Sequence, residues 1–280
     1  MDASTVGDLF ERERRSEVPA LEDAIGRVYD YHWLCTSAWK AGNFLRHSGV
    51  RQGVTVGVVG DGPLALLAFF GTALLKGTTR FEPPEDLERE YGDGHGHGRG
   101  AGARTENGTV SEHEFRTLVA PVDALESYAL PRGAQRVGYG RKPDDPAVHH
   151  FDAGLWSENP SFPTLEIDPE TPLLSDGQGR YAHGAVLRAA RTVVDEWGIE
   201  SGTRVCVNAE LADPRAVTAG VIAPLVAGGT VVLVGSESGP TADIDDTTDT
   251  DADIVVAHRD SNATAGRPRI DYSSLELPRS

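Results

Sequence analysis

The residues with the most chemical potential stand together in Leu174-Ser175-Asp176-Gly177-Gln178-Gly179-Arg180-Tyr181-Ala182-His183-Gly184. Apolar residues lead into this stretch, small and polar ones fill it, and a helical run follows from Ala185 to Trp197. A glycine-containing loop between a strand and a helix can turn backbone N–H groups toward a phosphate at the helix N-terminus. The stretch does not end in Gly-Lys-Ser/Thr, so it is not the phosphate loop of NTPases. It also carries Asp176, a carboxylate where a phosphate cradle would want a neutral or positive group.

Other constellations suggest chemistry and then fall short of it. Gly60-Asp61-Gly62-Pro63-Leu64-Ala65 fits G-x-G-x-x-A between a strand and a helix, and Glu82 follows about 20 residues on, as a ribose-binding acid would. That pattern would suit a dinucleotide-binding oxidoreductase. Asp61 would face the pyrophosphate, however, and no catalytic group accompanies the motif, so a tight strand-to-helix turn accounts for these glycines. His95 and His97 have no further ligands at a metal-binding spacing. A calcium loop starting at Asp243 would need glycine at its sixth position, where Thr248 stands. Ser175, Asp176 and His183 have no spacing that makes their side chains converge as a triad. No metal site and no catalytic residue is expected.

Charge narrows the function classes further. The net charge is -17, and the only lysines are Lys40, Lys76 and Lys142. No basic patch is available to neutralise phosphates, so no nucleic-acid partner is expected. Acidic excess with scarce lysine is the composition of a salt-accumulating halophile such as a haloarchaeon, whose surface carboxylates hold water. Cys35 and Cys206 sit in apolar contexts and read as buried thiols in a reducing compartment. The charged run from Met1 to Glu17 is unlike a signal peptide, and no apolar run approaches the ~18 residues of a membrane span. A cytoplasmic protein without membrane association is the expectation.

The elements that must position these groups alternate. A short helix is predicted over 5–15 with Leu9 and Phe10 inward, then a hairpin of Val18–Leu21 and Arg27–Tyr29. Leu34, Ala38, Ala41 and Leu45 recur at helical spacing across Tyr31–His47, and Gly49 stops that helix. A strand at Val54–Val59, a buried helix at Leu64–Leu75 and a strand at Thr78–Phe81 follow. The glycine-rich stretch at 83–112 cannot repay its ordering entropy and reads as a mobile surface insertion. Strands resume at Phe115–Ala120 and Arg136–Tyr139, and 149–172 reads as connecting loop. After the organising loop come a helix to Gly198, a strand at Val205–Asn208, an apolar helix at Ala216–Val226 and strands at Thr230–Val234 and Asp253–Ala257. The fold class is α/β with a parallel arrangement. The domain division is an α/β subdomain at 1–82, a Gly/His-rich insertion at 83–114, a second α/β portion at 115–235 and an acidic tail at 236–280.

With the elements placed, Tyr31-x-x-Leu34, Ala41 to Leu45, Gly49-Val50-x-x-Gly53-x-x-Val56, Lys76-Gly77 and Pro83-Pro84 form one block of a familiar order. Ala223-Pro224-Leu225-x-x-Gly228-x-Thr230-Val231-Val232-Leu233 closes a second. Together they resemble the acyl-adenylate-forming (AMP-binding, acyl-CoA synthetase-like) superfamily. The resemblance implies layered sheets with flanking helices, as in the first part of that family's large domain, and ATP or AMP as ligand. It casts 174–187 as a degenerate phosphate loop, with Ser175, Gly177, Gln178, Gly179, Arg180, His183 and Gly184 as its ligand-contacting residues.

The departures bear on function. The family loop T-S-G-T-T-G-x-P-K-G keeps only Gly177 and Gly184 unchanged here; His183 stands for the lysine and Asp176 for a hydroxyl residue. Ala209-Glu210-Leu211-Ala212-Asp213 lies where an aromatic-histidine pair is expected. The later segments for adenine, Mg²⁺ and ribose are missing, as is the domain with the catalytic lysine. The resemblance therefore implies a non-catalytic binding or regulatory module with a possible protein or nucleotide partner. The alternative is half of a split acyl-CoA ligase completed by a partner chain.

Overall fold

A computed structural model describes residues 3–92, 114–163, 165–234, 251–259 and 267–280. Two 3-10 turns, Val6–Phe10 and Arg12–Arg14, replace the short helix predicted near the start, and Leu9 and Phe10 are buried as expected. Strands β1 (Pro19–Glu22) and β2 (Val28–Asp30) pair antiparallel. Asp30 then caps α1 (Tyr31–His47) by accepting the Trp33 N–H at 2.7 Å. Beyond it, Gly49 turns the chain at φ 82°, a conformation that favours glycine. Strand β3 (Val54–Val58), helix α2 (Pro63–Leu74) and strand β4 (Thr78–Phe81) follow. Helix α2 is apolar all round because every residue from Ala65 to Leu74 is buried.

The stretch expected to be mobile begins with order. Helix α3 (Leu87–Tyr91) is capped by Asp86, and Leu87 is wholly buried in a cluster with Phe115 and Leu118. Residues 93–113, with His95 and His97, lie outside the described residues. Strands β5 (Glu114–Pro121), β6 (Gln135–Tyr139) and β7 (Val148–His150) then lead into helix α4 (Phe151–Ser157). The last two elements correct the loop expected over 149–172. Phe151 is wholly buried, its ring edge-on to Phe44 with centroids 5.3 Å apart.

Strands β8 (Pro172–Ser175) and β9 (Arg180–Ala182) make a hairpin that delivers the chain to α5 (His183–Trp197) and β10 (Arg204–Asn208). The apolar helix predicted at 216–226 is broken into α6 (Pro214–Val217), a π turn (Thr218–Ile222) and α7 (Ala223–Ala227). Strands β11 (Thr230–Leu233), β12 (Ile254–Ala257) and β13 (Arg269–Asp271) follow. Strand β12 lies where one was expected at Asp253–Ala257 and β13 is a further strand within the acidic stretch, with Ile254, Val255, Val256, Ala257 and Ile270 all buried. Residues 235–250, including the acids from Asp243 to Asp249, lie outside the described residues.

The fold is α/β, as expected. Two mostly parallel sheets run in the orders β13-β12-β10-β11-β1-β2 and β7-β6-β5-β3-β4-β8-β9. The antiparallel pairs are the two hairpins, β1–β2 and β8–β9. Each sheet draws strands from both sides of residue 82, so the sequence-level boundary there does not separate two structural units. One hydrophobic core takes Val56 from one sheet, Val205 and Val231 from the other, and residues of α1, α2, α5 and α7. Where α1 and α2 cross, Gly71 faces Ala41 so closely that a Cβ would lie 2.8 Å from its backbone carbon.

Candidate functional site

Ser175 pairs with Arg180 across the β8–β9 hairpin, so residues 176–179 are a hairpin loop. The three residues of β9 separate that loop from the first turn of α5. At about 3.3 Å per strand residue this is roughly 10 Å, which takes the loop out of the last-turn range of a helix dipole. The strand-loop-helix reading of the sequence thus misses one strand.

The loop's donors are already used. The Asp176 carboxylate accepts the N–H groups of Gln178 at 2.8 Å and Gly179 at 2.7 Å through Oδ1. Its Oδ2 accepts the Tyr181 hydroxyl at 2.7 Å and Arg279 Nη2 at 3.1 Å. Ser175 Oγ accepts the Gly177 N–H at 3.2 Å and donates to the Gly179 carbonyl at 3.0 Å. Burial pulls the Asp176 carboxyl upward, but the Tyr181 hydroxyl, the two amides and the Arg279 charge outweigh it and leave it below the ordinary carboxylate value. The aspartate therefore sits as the anion in a cradle made from its own loop.

Two arginines flank that cradle. A Cβ on Gly177, whose φ is 82°, would collide with the Arg80 guanidinium, and one on Gly179 would come within 2.5 Å of Arg279 Cδ. Gly177 is required by its conformation, and a side chain at either position would push an arginine aside. Arg80 is held by Glu90 and, at 3.2 Å, by the Tyr91 hydroxyl of α3. Arg279 also donates to the Tyr181 hydroxyl at 3.2 Å.

Of the residues expected to contact a ligand, Ser175, Gly177, Gln178 and Gly179 meet in this loop, and Arg180 begins β9 beside it. His183 and Gly184 do not join them. The His183 ring is wholly buried, its Nδ1 accepting the Val6 N–H at 3.2 Å and its Nε2 lying buried without a hydrogen-bond partner. Burial, opposed by the charge of Asp8, lowers its pKa to about 4, so it is neutral and supplies no cation. Gly184 donates its N–H to the Pro169 carbonyl at 2.8 Å. Sequence reasoning missed Tyr181, Arg80 and Arg279. Only Tyr181 was within reach of a local signal, since it follows Asp176 by five positions.

The other candidate motifs are absorbed by structure. Glu82 folds back to accept the Gly60 N–H at 2.6 Å, and the Tyr139 hydroxyl covers Gly60 while donating to the Val59 carbonyl at 2.6 Å. The Gly60 side of this turn is filled, while nothing lies within 4 Å of a Cβ on Gly62. Asp213 caps α6 and pairs with Arg215, whose other nitrogen reaches the Ser273 carbonyl at 3.1 Å. Cys35 and Cys206 are buried thiols. Among the described residues no group of three potential ligands could hold a metal ion, and no helix is long and apolar enough to cross a membrane.

No protein-family model matches the sequence, and no curated protein matches it significantly. Solved structures match the fold. The anthranilate CoA ligase AuaEII in complex with anthranoyl-AMP is 18% identical with a TM-score of 0.68, over 90% of this chain and 49% of that one. A benzoate CoA ligase from Burkholderia xenovorans is 16% identical with a TM-score of 0.67, over 90% of this chain and 50% of that one. The nonribosomal peptide synthetase FmoA3 in its AMPPNP-bound form is 19% identical with a TM-score of 0.60, over 82% of this chain and 23% of that one. The chain thus spans about half the length of these two ligases, and at this identity the likeness is one of architecture: it has the α/β fold of the acyl- and aryl-CoA ligases and the adenylating peptide synthetases.

Proposed function

We propose that this chain is a non-catalytic relative of the acyl-CoA synthetases, keeping their scaffold as a binding or regulatory module. The observation that carries this reading is Asp176 sitting as the anion of its own loop, with the Gln178 and Gly179 amides spent on it. Adenylate formation needs those donors aimed at ATP phosphates and a cation to offset developing charge. A carboxylate about 4 Å from a phosphate charge costs about 4 kcal/mol at an effective dielectric of 20. That is roughly a thousandfold in affinity before Arg279 offsets part of it. The neutral, inward His183 leaves the family's lysine position without a charge.

ATP or AMP is the ligand class to test, because solved neighbours carry anthranoyl-AMP and AMPPNP. The composition supports a salt-rich cytoplasm as the setting, with a net charge of -17. The second reading is half of a split acyl-CoA ligase completed by a partner chain. Pyrophosphate exchange in molar KCl, with acetate, longer acyl acids and amino acids, separates the readings. The pure chain is expected to give no acid-dependent exchange. Exchange from the pure chain overturns the non-catalytic reading, and exchange only on adding a second protein moves it to the split enzyme.

A further inference from the structure

Residues 275–280 run as a strap beside the candidate loop. Leu275 and Leu277 pack on the main core, and the Ser280 N–H donates to the Arg180 carbonyl at 2.8 Å on β9, the edge strand of the seven-stranded sheet. Between these anchors Arg279 crosses Gly179 and reaches both Tyr181 and Asp176. On its other flank the strap forms one wall of a groove of about 620 Å³ against α5, where Arg188, Thr192, Trp197, Leu275 and Pro278 line it. The strap thus covers a loop and an edge strand and walls a groove.

Its hold on the loop is a light one. The Arg279 side chain is 54% exposed, and pairs of that kind are weak and salt-sensitive. Asp176 uses both of its oxygens. Oδ1 serves the two amides and Oδ2 is steered by Tyr181 and Arg279. Without the arginine, Asp176 keeps only contacts within its own hairpin.

We propose that residues 275–280 are a liftable, autoinhibitory strap, and that the Arg279–Asp176–Tyr181 clasp couples its position to closure of the 175–180 loop. Strap down, the loop amides face Asp176 and Ser280 holds the Arg180 carbonyl on the β9 edge. Strap up, loop mouth, β9 edge and the α5 wall of the groove are uncovered together. The coupling holds whether or not the chain is catalytic, because a closed loop restrains a binding protein as much as an enzyme.

Hydrogen exchange on the full chain tests it, comparing the wild type with Arg279→Ala, Asp176→Asn and the double variant. Each single change is expected to speed exchange about two- to fivefold, in both 176–181 and 275–280, the size set by a half-exposed pair. The double variant is expected to match the larger single effect, because both changes break one clasp. Faster exchange confined to 275–280 in Arg279→Ala, or effects that add in the double variant, overturns the coupling. Arg279 is half exposed, so its removal leaves the fold intact, which far-ultraviolet circular dichroism checks.

Discussion

His183 offers a test of the packing around the candidate loop that needs no ligand. Its ring is wholly buried beneath the Val6–Phe10 turn, accepting the Val6 N–H, and its pKa is lowered from 6.5 to about 4. A group with a lowered folded-state pKa binds protons more readily once unfolded. Its stabilising contribution is therefore complete above pH 6.5, erodes as the pH falls, and levels off below about 4. A shift of this size, at 1.36 kcal/mol per pKa unit, is worth on the order of 3 kcal/mol. Asp8 faces the ring and favours its charged form. Burial pushes the Asp8 carboxyl up, but hydrogen bonds from Ser4 and Thr5 outweigh it and hold it below the ordinary carboxylate value. The perturbation is His183→Gln, which can still accept the Val6 N–H and cannot titrate. Denaturant unfolding of both proteins at pH 7, 6, 5 and 4 in constant molar KCl cancels the other carboxylates in the difference. The wild type's advantage should shrink by on the order of 3 kcal/mol from pH 7 to 4, most of it below 6.5. A difference that does not change with pH refutes the buried, neutral histidine.

Two further outcomes follow from packing and charge. Gly71→Ala puts a methyl within 2.8 Å of the Ala41 backbone at the α1–α2 crossing, and should cost about 1–3 kcal/mol by denaturant titration. With a net charge of -17, self-repulsion should lower Tm as KCl is reduced from molar levels, where the Debye length is about 3 Å, to dilute buffer. A constant Tm would remove the case for a halophilic surface.

The fold was legible wherever one element carried its own full signal. Helix α1 was read to its observed bounds because its apolar spacing and Gly49 agree. Strand β3 and helix α2 were legible because continuous apolar runs bounded by turns have few alternatives. Short elements were not. Phe151 anchors a seven-residue helix, too brief for periodicity to register before the prolines that follow. Strand β12 was legible from its apolar run, but β13 hides in a polar stretch, because its single buried residue, Ile270, specifies a strand only once β12 exists to pair with it.

The candidate site shows a different limit. Asp176 was legible as a charge in the wrong place, and read alone it predicts an open cradle spoiled by repulsion. The structure instead gives it four partners: the Gln178 and Gly179 amides, the Tyr181 hydroxyl and Arg279. The distinction matters physically. Repulsion alone would fade in molar salt and let a phosphate in, whereas amides already bonded to a carboxylate must be released before any anion can use them. Arg279 stands 103 residues from Asp176, and Arg80 reaches Gly177 from another strand, so no local pattern could announce either. What the sequence did contain was the consequence: glycine at 177 and 179, where a side chain on either would displace an arginine. Gly177 also turns at φ 82°, a constraint that persists whether or not a phosphate is ever bound.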